Sequence, residues 1–474
     1  MKLHHFLITV PLLLFTLAGC QSDDSQPESA ALYMKETSIT ENSIVEASEV
    51  TSITFTFSEE IEVVNPSHSA LVNENTSKRT PLVEGTVAGK TWTIPVSLDY
   101  NSSYTLTITG TTVKAKASGV FAKPYTLKFT TAPYNTPNPG SSEIDPLVNP
   151  NATAMTKKVH EFLKSTYGVK ILSGAMANVN NNNDFAGWIE KMSGKYPAIT
   201  FYDLIHLPES GQNWIDYTDI TPAKTQWNAN GLVGYGWHWR VPKEEGSSST
   251  DYEASNMNFD IEKALTPGTW QNKVVEEDVR KVAQILKKLQ DNNIAVLWRP
   301  LHEAAGDYQW GAWFWWGAQG LEKTKKLWIW LYDKLTNQYG LNNLIWVWTV
   351  QLYREGKMAP MTDLQAAYPG DDYVDIVGPD VYNPTHDASP EFFNAVYTLV
   401  KGHKIVAMPE CGMLPNPEAS INEGAPWSYV MLWYSYDQHK KGEANDDFGN
   451  TPSYLKEWMT NPYIITRDQM PNLK

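Results

Sequence analysis

Eight apolar runs alternating with amphipathic segments predict a (β/α)8 barrel over the C-terminal two thirds of the chain. A block of short Thr-, Val- and Ile-rich strands ahead of them predicts a small all-β sandwich. Between the two blocks lies Pro137-Asn-Pro-Gly-Ser-Ser142, the composition of a linker. The 474 residues leave room for both units.

At the N-terminus, Lys2 precedes an apolar core from Phe6 to Leu17, too short for a membrane span with such flanks. It ends in Leu17-Ala18-Gly19-Cys20, which resembles the lipobox of bacterial lipoprotein signal peptides. The resemblance implies removal of residues 1–19 and a lipid anchor on Cys20, made stable by several acyl chains. Ser22-Asp23-Asp24-Ser25 resembles the surface-export signals of Bacteroidetes lipoproteins, implying the outer membrane and the cell surface. The other cysteine, Cys411, then has no disulfide partner and reads as a buried thiol. Residues 20–45 are polar and poor in aromatics, and are expected to be a tether.

The sandwich is expected over residues 46–133. Its period-two segments are Ser52–Phe57, Thr91–Val96, Tyr104–Ile108 and Tyr125–Thr131, with turns at Asn65-Pro66, Asn73-Glu-Asn75 and Ala88-Gly89. It resembles the bacterial immunoglobulin-like modules of surface-layer and cell-wall proteins. Trp92 and Tyr104 are its candidate aromatic platform, too little for sugar binding, and a spacer role is expected. Residues 134–150 are the expected linker.

The barrel is expected over residues 151–474. The strand candidates are Val169–Leu172, Ala198–Tyr202, Leu232–Gly236, Ala295–Trp298, Leu344–Val350, Val374–Val377, Ile405–Met408 and Tyr429–Trp433. Helices are expected at Thr156–Tyr167, Glu277–Gln290, Leu321–Tyr339 and Phe392–Lys401. An open doubly wound sheet is the alternative, but Gly234-Tyr-Gly236 lacks the third glycine of a phosphate loop.

The net charge of −15 excludes a basic phosphate-backbone surface, so no nucleic-acid partner is expected. All tryptophans but Trp92 lie beyond residue 150, which concentrates flat apolar surface in the barrel. No metal or cofactor motif is apparent. Gly306 stands where a second ligand would complete His302-Glu303 as a zinc helix, and there is no nucleophile elbow or Walker loop. The Asn178–Asp184 run is too loosely spaced for a calcium loop.

In a barrel, polar residues at the C-terminal ends of strands carry function. In chain order these are Asp203, His238 between Trp237 and Trp239, Arg299, His302 and Glu303, Trp348 and Gln351, Asp380 and Tyr382, Glu410 and Trp433. Glu303 follows the fourth strand, in Trp298-Arg-Pro-Leu-His-Glu303, ahead of Trp313-Phe-Trp-Trp316. Glu410 ends the seventh, in Ile405-Val-Ala-Met-Pro-Glu-Cys-Gly412. Two carboxyls facing each other across a sugar would make a retaining pair at about 5–5.5 Å and an inverting pair at about 6.5–9.5 Å. Arg299 reads as a partner for carboxylates in the barrel mouth. Trp348, Trp427 and Trp433 fit either sugar platforms or the upper core.

These motifs, with Ile171-Leu-Ser-Gly174, Lys195-Tyr-Pro-Ala198, Trp237-His-Trp239 and Asp375-Ile-Val-Gly-Pro-Asp-Val-Tyr382, resemble glycoside hydrolase family 26, made up chiefly of β-mannanases. The resemblance implies Glu303 as general acid/base and Glu410 as nucleophile. It further implies that His238, His302 and Trp315 contact or shape the sugar site. Tyr382 becomes a phenol whose hydroxyl favours the ionised nucleophile. The implied activity is a retaining endo-β-1,4-mannanase acting on mannan, galactomannan or glucomannan, without cofactor and as a monomer. Alternatives are β-1,3-xylanase or mixed-linkage β-glucanase activity, or a non-catalytic surface glycan-binding lipoprotein.

Overall fold

The computed structural model describes residues 31–474 apart from 48, 76, 97, 99–101, 133–142, 210–214, 307–310, 351–352, 355–356, 359–360 and 435–447. The expected signal peptide, Cys20 and the Pro137–Ser142 linker lie outside the described residues, as does Gln351. The chain divides into two units, Met1–Tyr134 and Asn135–Lys474.

In the first unit, strands Met34–Thr37, Ser52–Phe57, Thr91–Pro95 and Thr86–Ala88 form one sheet. Ile44–Val45, Tyr125–Thr131, Ser103–Ile108, Ala70–Asn73 and Lys78–Pro81 form another. Alternation sends Ile53, Phe55 and Phe57 inward against Leu106, Ile108, Leu127 and Phe129, while the intervening threonines face out. The expected tether is corrected here: Met34–Thr37 pairs with Ser52–Phe57, and Leu32 and Ile39 are buried in the core. Trp92 and Tyr104 are buried as well, and the Trp92 indole donates to the Glu84 carbonyl, so neither is a surface platform.

The second unit is a closed parallel barrel. Its strands are β1 (Ile171–Met176), β2 (Ile199–Asp203), β3 (Leu232–Trp237), β4 (Val296–Pro300), β5 (Leu344–Val350), β6 (Ile376–Val381), β7 (Ile405–Val406 and Met408–Cys411) and β8 (Tyr429–Leu432). Each is parallel to the next, and β1 closes the ring by pairing with both β8 and β2. Buried on both faces, the strands read as the near-continuous apolar runs that parallel pairing requires.

Helices Ala154–Thr166 and Trp270–Asp291 begin at Thr153 and Thr269, whose hydroxyls accept the backbone N–H three residues on. Pro390 opens Pro390–Leu399. The long helix expected to reach Tyr339 is α-helical over Leu321–Tyr332 and π-helical over Asp333–Gln338. The expected linker is shortened at its C-terminal end. Ile144 is buried, and the Val148 N–H donates to Asp375 Oδ1 at 2.8 Å.

Trp237, Trp239, Trp298, Trp315, Trp316 and Trp346 are all less than 2% exposed. Each buried indole removes on the order of 200 Å² from water, about 5 kcal/mol of gross transfer free energy. The abundance of tryptophan in this unit is therefore mostly core. Among the described residues no helix is long and apolar enough to cross a membrane.

Candidate active site

Arg299, on β4, points into the barrel mouth and is 2% exposed. Its Nε donates to Thr349 Oγ1 on β5 at 3.0 Å. One Nη pairs with Asp380 on β6 and with Glu410 on β7, the latter at 2.9 Å. A single guanidinium thus ties four adjacent strands together and meets two carboxylates at once. Burial disfavours its charge, but Asp380, Glu410 and Glu303 outweigh that and hold it charged.

Glu303 lies three residues beyond the end of β4. Leu301 and Glu303 take left-handed backbone angles, φ 49° and 50°, on either side of His302. Each such residue costs on the order of 1–3 kcal/mol, a strain found where surroundings force an unusual turn. Glu303 is buried, and Trp313 Nε1 donates to its Oε2 at 2.9 Å. Burial, and next the Glu410 charge, push its carboxyl up to about 7, against Arg299 and the Trp313 hydrogen bond. One carboxylate oxygen from each of Glu303, Asp380 and Glu410 lies within 4.8 Å of the other two. Asp380 is fully buried and hydrogen-bonded to Glu303. Burial and its two carboxylate neighbours push it up while Arg299 pulls it down. Three buried carboxyls on one guanidinium cannot all be charged, so the Glu303–Asp380 couple retains a proton at neutral pH. The clustered oxygens are a donor set a cation could use, but Arg299 already occupies the cation's place.

Glu410 accepts the Tyr382 hydroxyl on Oε1 at 2.5 Å. Gly412 permits this approach: a Cβ there would lie 2.9 Å from the Tyr382 ring. Tyr382 is 40% exposed, so its ring looks out of the mouth while its hydroxyl engages the carboxylate.

Across the mouth, Asp203 at the end of β2 accepts from His238, through Nδ1 at 2.6 Å and the backbone N–H at 3.0 Å. His238 Nε2 lies 3.1 Å from His302 Nε2. Gly236 leaves room for the Asp203 carboxylate, whose Oδ2 would be 3.2 Å from a Cβ there. His238 and His302 are both brought to the acid carboxyl's neighbourhood.

The expectation for Trp315 is corrected. It is 1% exposed, donates its indole N–H to the Trp239 carbonyl at 2.7 Å, and packs against Phe259. The indole that reaches the acid carboxyl is Trp313, two residues earlier. The long 243–269 insertion braces that loop: Ala254 N–H donates to the Trp313 carbonyl at 2.7 Å, and Trp315 N–H to Tyr252 at 3.1 Å. Trp433 sits beside His238 with ring centroids 5.8 Å apart. Trp427 is core, its N–H on the Ala388 carbonyl, and Trp348 is buried against Tyr368. Two buried carboxyls escaped the site expected from sequence. Asp380 was noted only as a strand-end residue, and Asp278 sits on helix Trp270–Asp291. Asp278 accepts the Trp239 indole N–H at 3.0 Å, and burial pushes its carboxyl up to about 7.

Comparison with known proteins gives the family. A model described as glycosyl hydrolase family 26 matches residues 148–469, and one described as a bacterial Ig-like domain matches residues 29–131. Mannan endo-1,4-beta-mannosidase B of Piromyces sp is 32% identical over 341 residues, 70% of this chain and 55% of that protein. The chain thus spans about half the length of that relative. The family 26 domain of an endo-beta-mannanase/endo-beta-glucanase from Prevotella bryantii is 35% identical, with TM-score 0.61. That match covers 69% of this chain and 99% of the solved one. A beta-mannanase from a symbiotic protist of the termite Reticulitermes speratus, solved with a gluco-manno-oligosaccharide, is 33% identical with TM-score 0.60. It covers 69% of this chain and 98% of its own. With the family match running through the whole barrel, the chain belongs to glycosyl hydrolase family 26 and carries a bacterial Ig-like domain ahead of it.

Proposed function

We propose that the chain is a retaining endo-β-1,4-mannanase, with Glu303 as acid/base and Glu410 as nucleophile. The observation that carries this reading is the pair of carboxyls on β7 and just beyond β4, close together in unlike environments. Glu303 keeps a proton in its apolar, carboxylate-flanked setting, whereas Glu410 is held by Arg299 and Tyr382. Opposite protonation is what a donor of protons and an attacking carboxylate require. The nearest oxygens, within 4.8 Å, fit the roughly 5–5.5 Å of a retaining pair better than the wider gap that admits water.

In the first step Glu410 attacks the anomeric carbon, and Glu303 gives its proton to the departing glycosidic oxygen. Glu303, now ionised, takes a proton from water, which displaces Glu410 from the sugar. His238, His302, Trp313 and Tyr382 line the sugar position, and Trp433 borders it.

Mannan as the substrate is supported by the names of the relatives, including the one solved with a gluco-manno-oligosaccharide. The test is release of reducing sugar from galactomannan, glucomannan, β-1,3-xylan and barley β-glucan. Release from the mannans with Glu303→Ala and Glu410→Ala inactive is expected. Release only from xylan or glucan, or from none, overturns the substrate reading.

The reading includes a lipid anchor on Cys20 at the outer membrane, supported by Leu17-Ala18-Gly19-Cys20. Labelled palmitate should enter the full chain and be lost in Cys20→Ala; no incorporation in the unmutated chain overturns it.

A further inference from the structure

The histidine pair beside Glu303 has an unevenly shared set of protons. His238 gives Nδ1–H to Asp203 at 2.6 Å, so its Nε2 faces His302 Nε2 at 3.1 Å with one proton between them. His302 is 1% exposed, and its other nitrogen, Nδ1, is buried with no hydrogen-bond partner among the described residues. Two arrangements satisfy the contact. Either His238 is an imidazolium donating to a neutral His302 protonated on Nδ1, or His238 is neutral and accepts from His302 protonated on Nε2.

Asp203 decides between them. It is 4% exposed and meets His238 through both carboxylate oxygens, a counter-ion set against the imidazole in low dielectric. Besides Asp203, the titratable groups near His238 are Glu410 and Glu303, the Arg299 cation, His302 itself and the Tyr252 phenol. Burial lowers the His238 pKa, but Asp203 and then Glu410 more than restore it. His302, by contrast, is pushed well below the ordinary histidine range by burial, Arg299 and His238.

We infer that Asp203 is a positioning residue that holds His238 as a doubly protonated donor and thereby fixes His302 as the neutral Nδ1–H tautomer. The pair's positive charge is confined to the ring farther along the chain of contacts and neutralised there. The imidazole adjoining Glu303 stays uncharged and does not draw the proton off the acid. A buried N–H without an acceptor costs about 1–3 kcal/mol, a cost that the Asp203–His238 ion pair has to offset for His302 to hold this tautomer. This role rests on the glycosidase reading of the site.

The test is 15N NMR of the full chain labelled at histidine, with the two signals assigned through His238→Ala and His302→Ala. At pH 7 the expected result is an imidazolium at His238 and a neutral, Nδ1-protonated His302. In Asp203→Asn, whose oxygen stays on the His238 backbone N–H and whose NH2 then donates to Nδ1, His238 should be neutral and protonated on Nε2 at pH 7, while His302 keeps its Nδ1–H form. kcat/KM on mannan should fall about 10²-fold, as for a misplaced site group. A neutral His238 in the unmutated protein at pH 7 overturns the inference whatever the variant does. So does an Asp203→Asn protein with the His238 signal and kcat/KM unchanged. If the NMR result holds but no mannan is cleaved, the substrate reading fails and the Asp203 assignment stands.

Discussion

Replacing Glu303 by glutamine removes one proton from the site with little change of shape. Burial and Glu410 move the Glu303 carboxyl from 4.5 to about 7. That shift amounts to about 3 kcal/mol against the ionised form. At pH 6 a carboxyl titrating near 7 is roughly 90% protonated, while one left at its ordinary value is roughly 3% protonated. The pocket therefore multiplies the population of usable acid about 30-fold. Unmutated protein should lose kcat/KM on mannan as pH rises through about 7. Glu303→Gln should lose about 10²–10⁴ of kcat/KM on mannan, and with it that alkaline limb. On an aryl mannobioside whose phenol leaves without protonation, the first step should be largely spared, and a burst of phenol should precede a slow second step. Measuring kcat/KM from pH 4 to 9 on both substrates checks this. An alkaline limb that persists unchanged in the variant, or equal losses on the two substrates, would refute the assignment of the acid.

Three other substitutions follow from the same geometry. Arg299→Met strands the buried Asp380 and Glu410 carboxyls without their cation and should cost about 3–5 kcal/mol in urea unfolding, with loss of activity. Tyr382→Phe removes a hydrogen bond to a charged acceptor, and kcat/KM should fall about 10–100-fold with the melting temperature nearly unchanged. Asp278→Asn keeps an acceptor for Trp239 but cannot ionise. The folded carboxyl of Asp278 titrates near 7 against an ordinary 3.8, so its stabilising effect is complete below 3.8 and is lost as pH rises through about 7. Relative to the unmutated protein, Asp278→Asn should therefore gain a few kcal/mol between pH 4 and pH 8. Equal pH dependence of the two unfolding curves would contradict a buried, proton-retaining Asp278.

The barrel was legible in the sequence because parallel strands buried on both faces leave unbroken apolar runs, and all eight overlap those runs, the first and sixth beginning two residues later than expected. Glu303 and Glu410 were legible for the same reason, as carboxyls at the C-terminal mouth of such runs. Which member of Trp313–Trp316 faces the acid was not, since four adjacent aromatics in a loop have no periodicity. Backbone bonds from Tyr252 and Ala254 in a distant insertion settle it. The sandwich's first strands were hidden because Met34–Thr37 is largely exposed, and its core contacts come from the flanking Leu32 and Ile39. Asp278 looked like an ordinary polar position on an amphipathic helix. Its partner inside is the Trp239 indole, arriving from the end of β3.

The double-displacement claim is tested most directly by 1H NMR of the first sugar released from mannohexaose, read before mutarotation. The account predicts that the β anomer appears first and the α anomer grows in later. The α anomer appearing first would contradict it, and would require Glu303 and Glu410 to flank a water instead of meeting across the sugar.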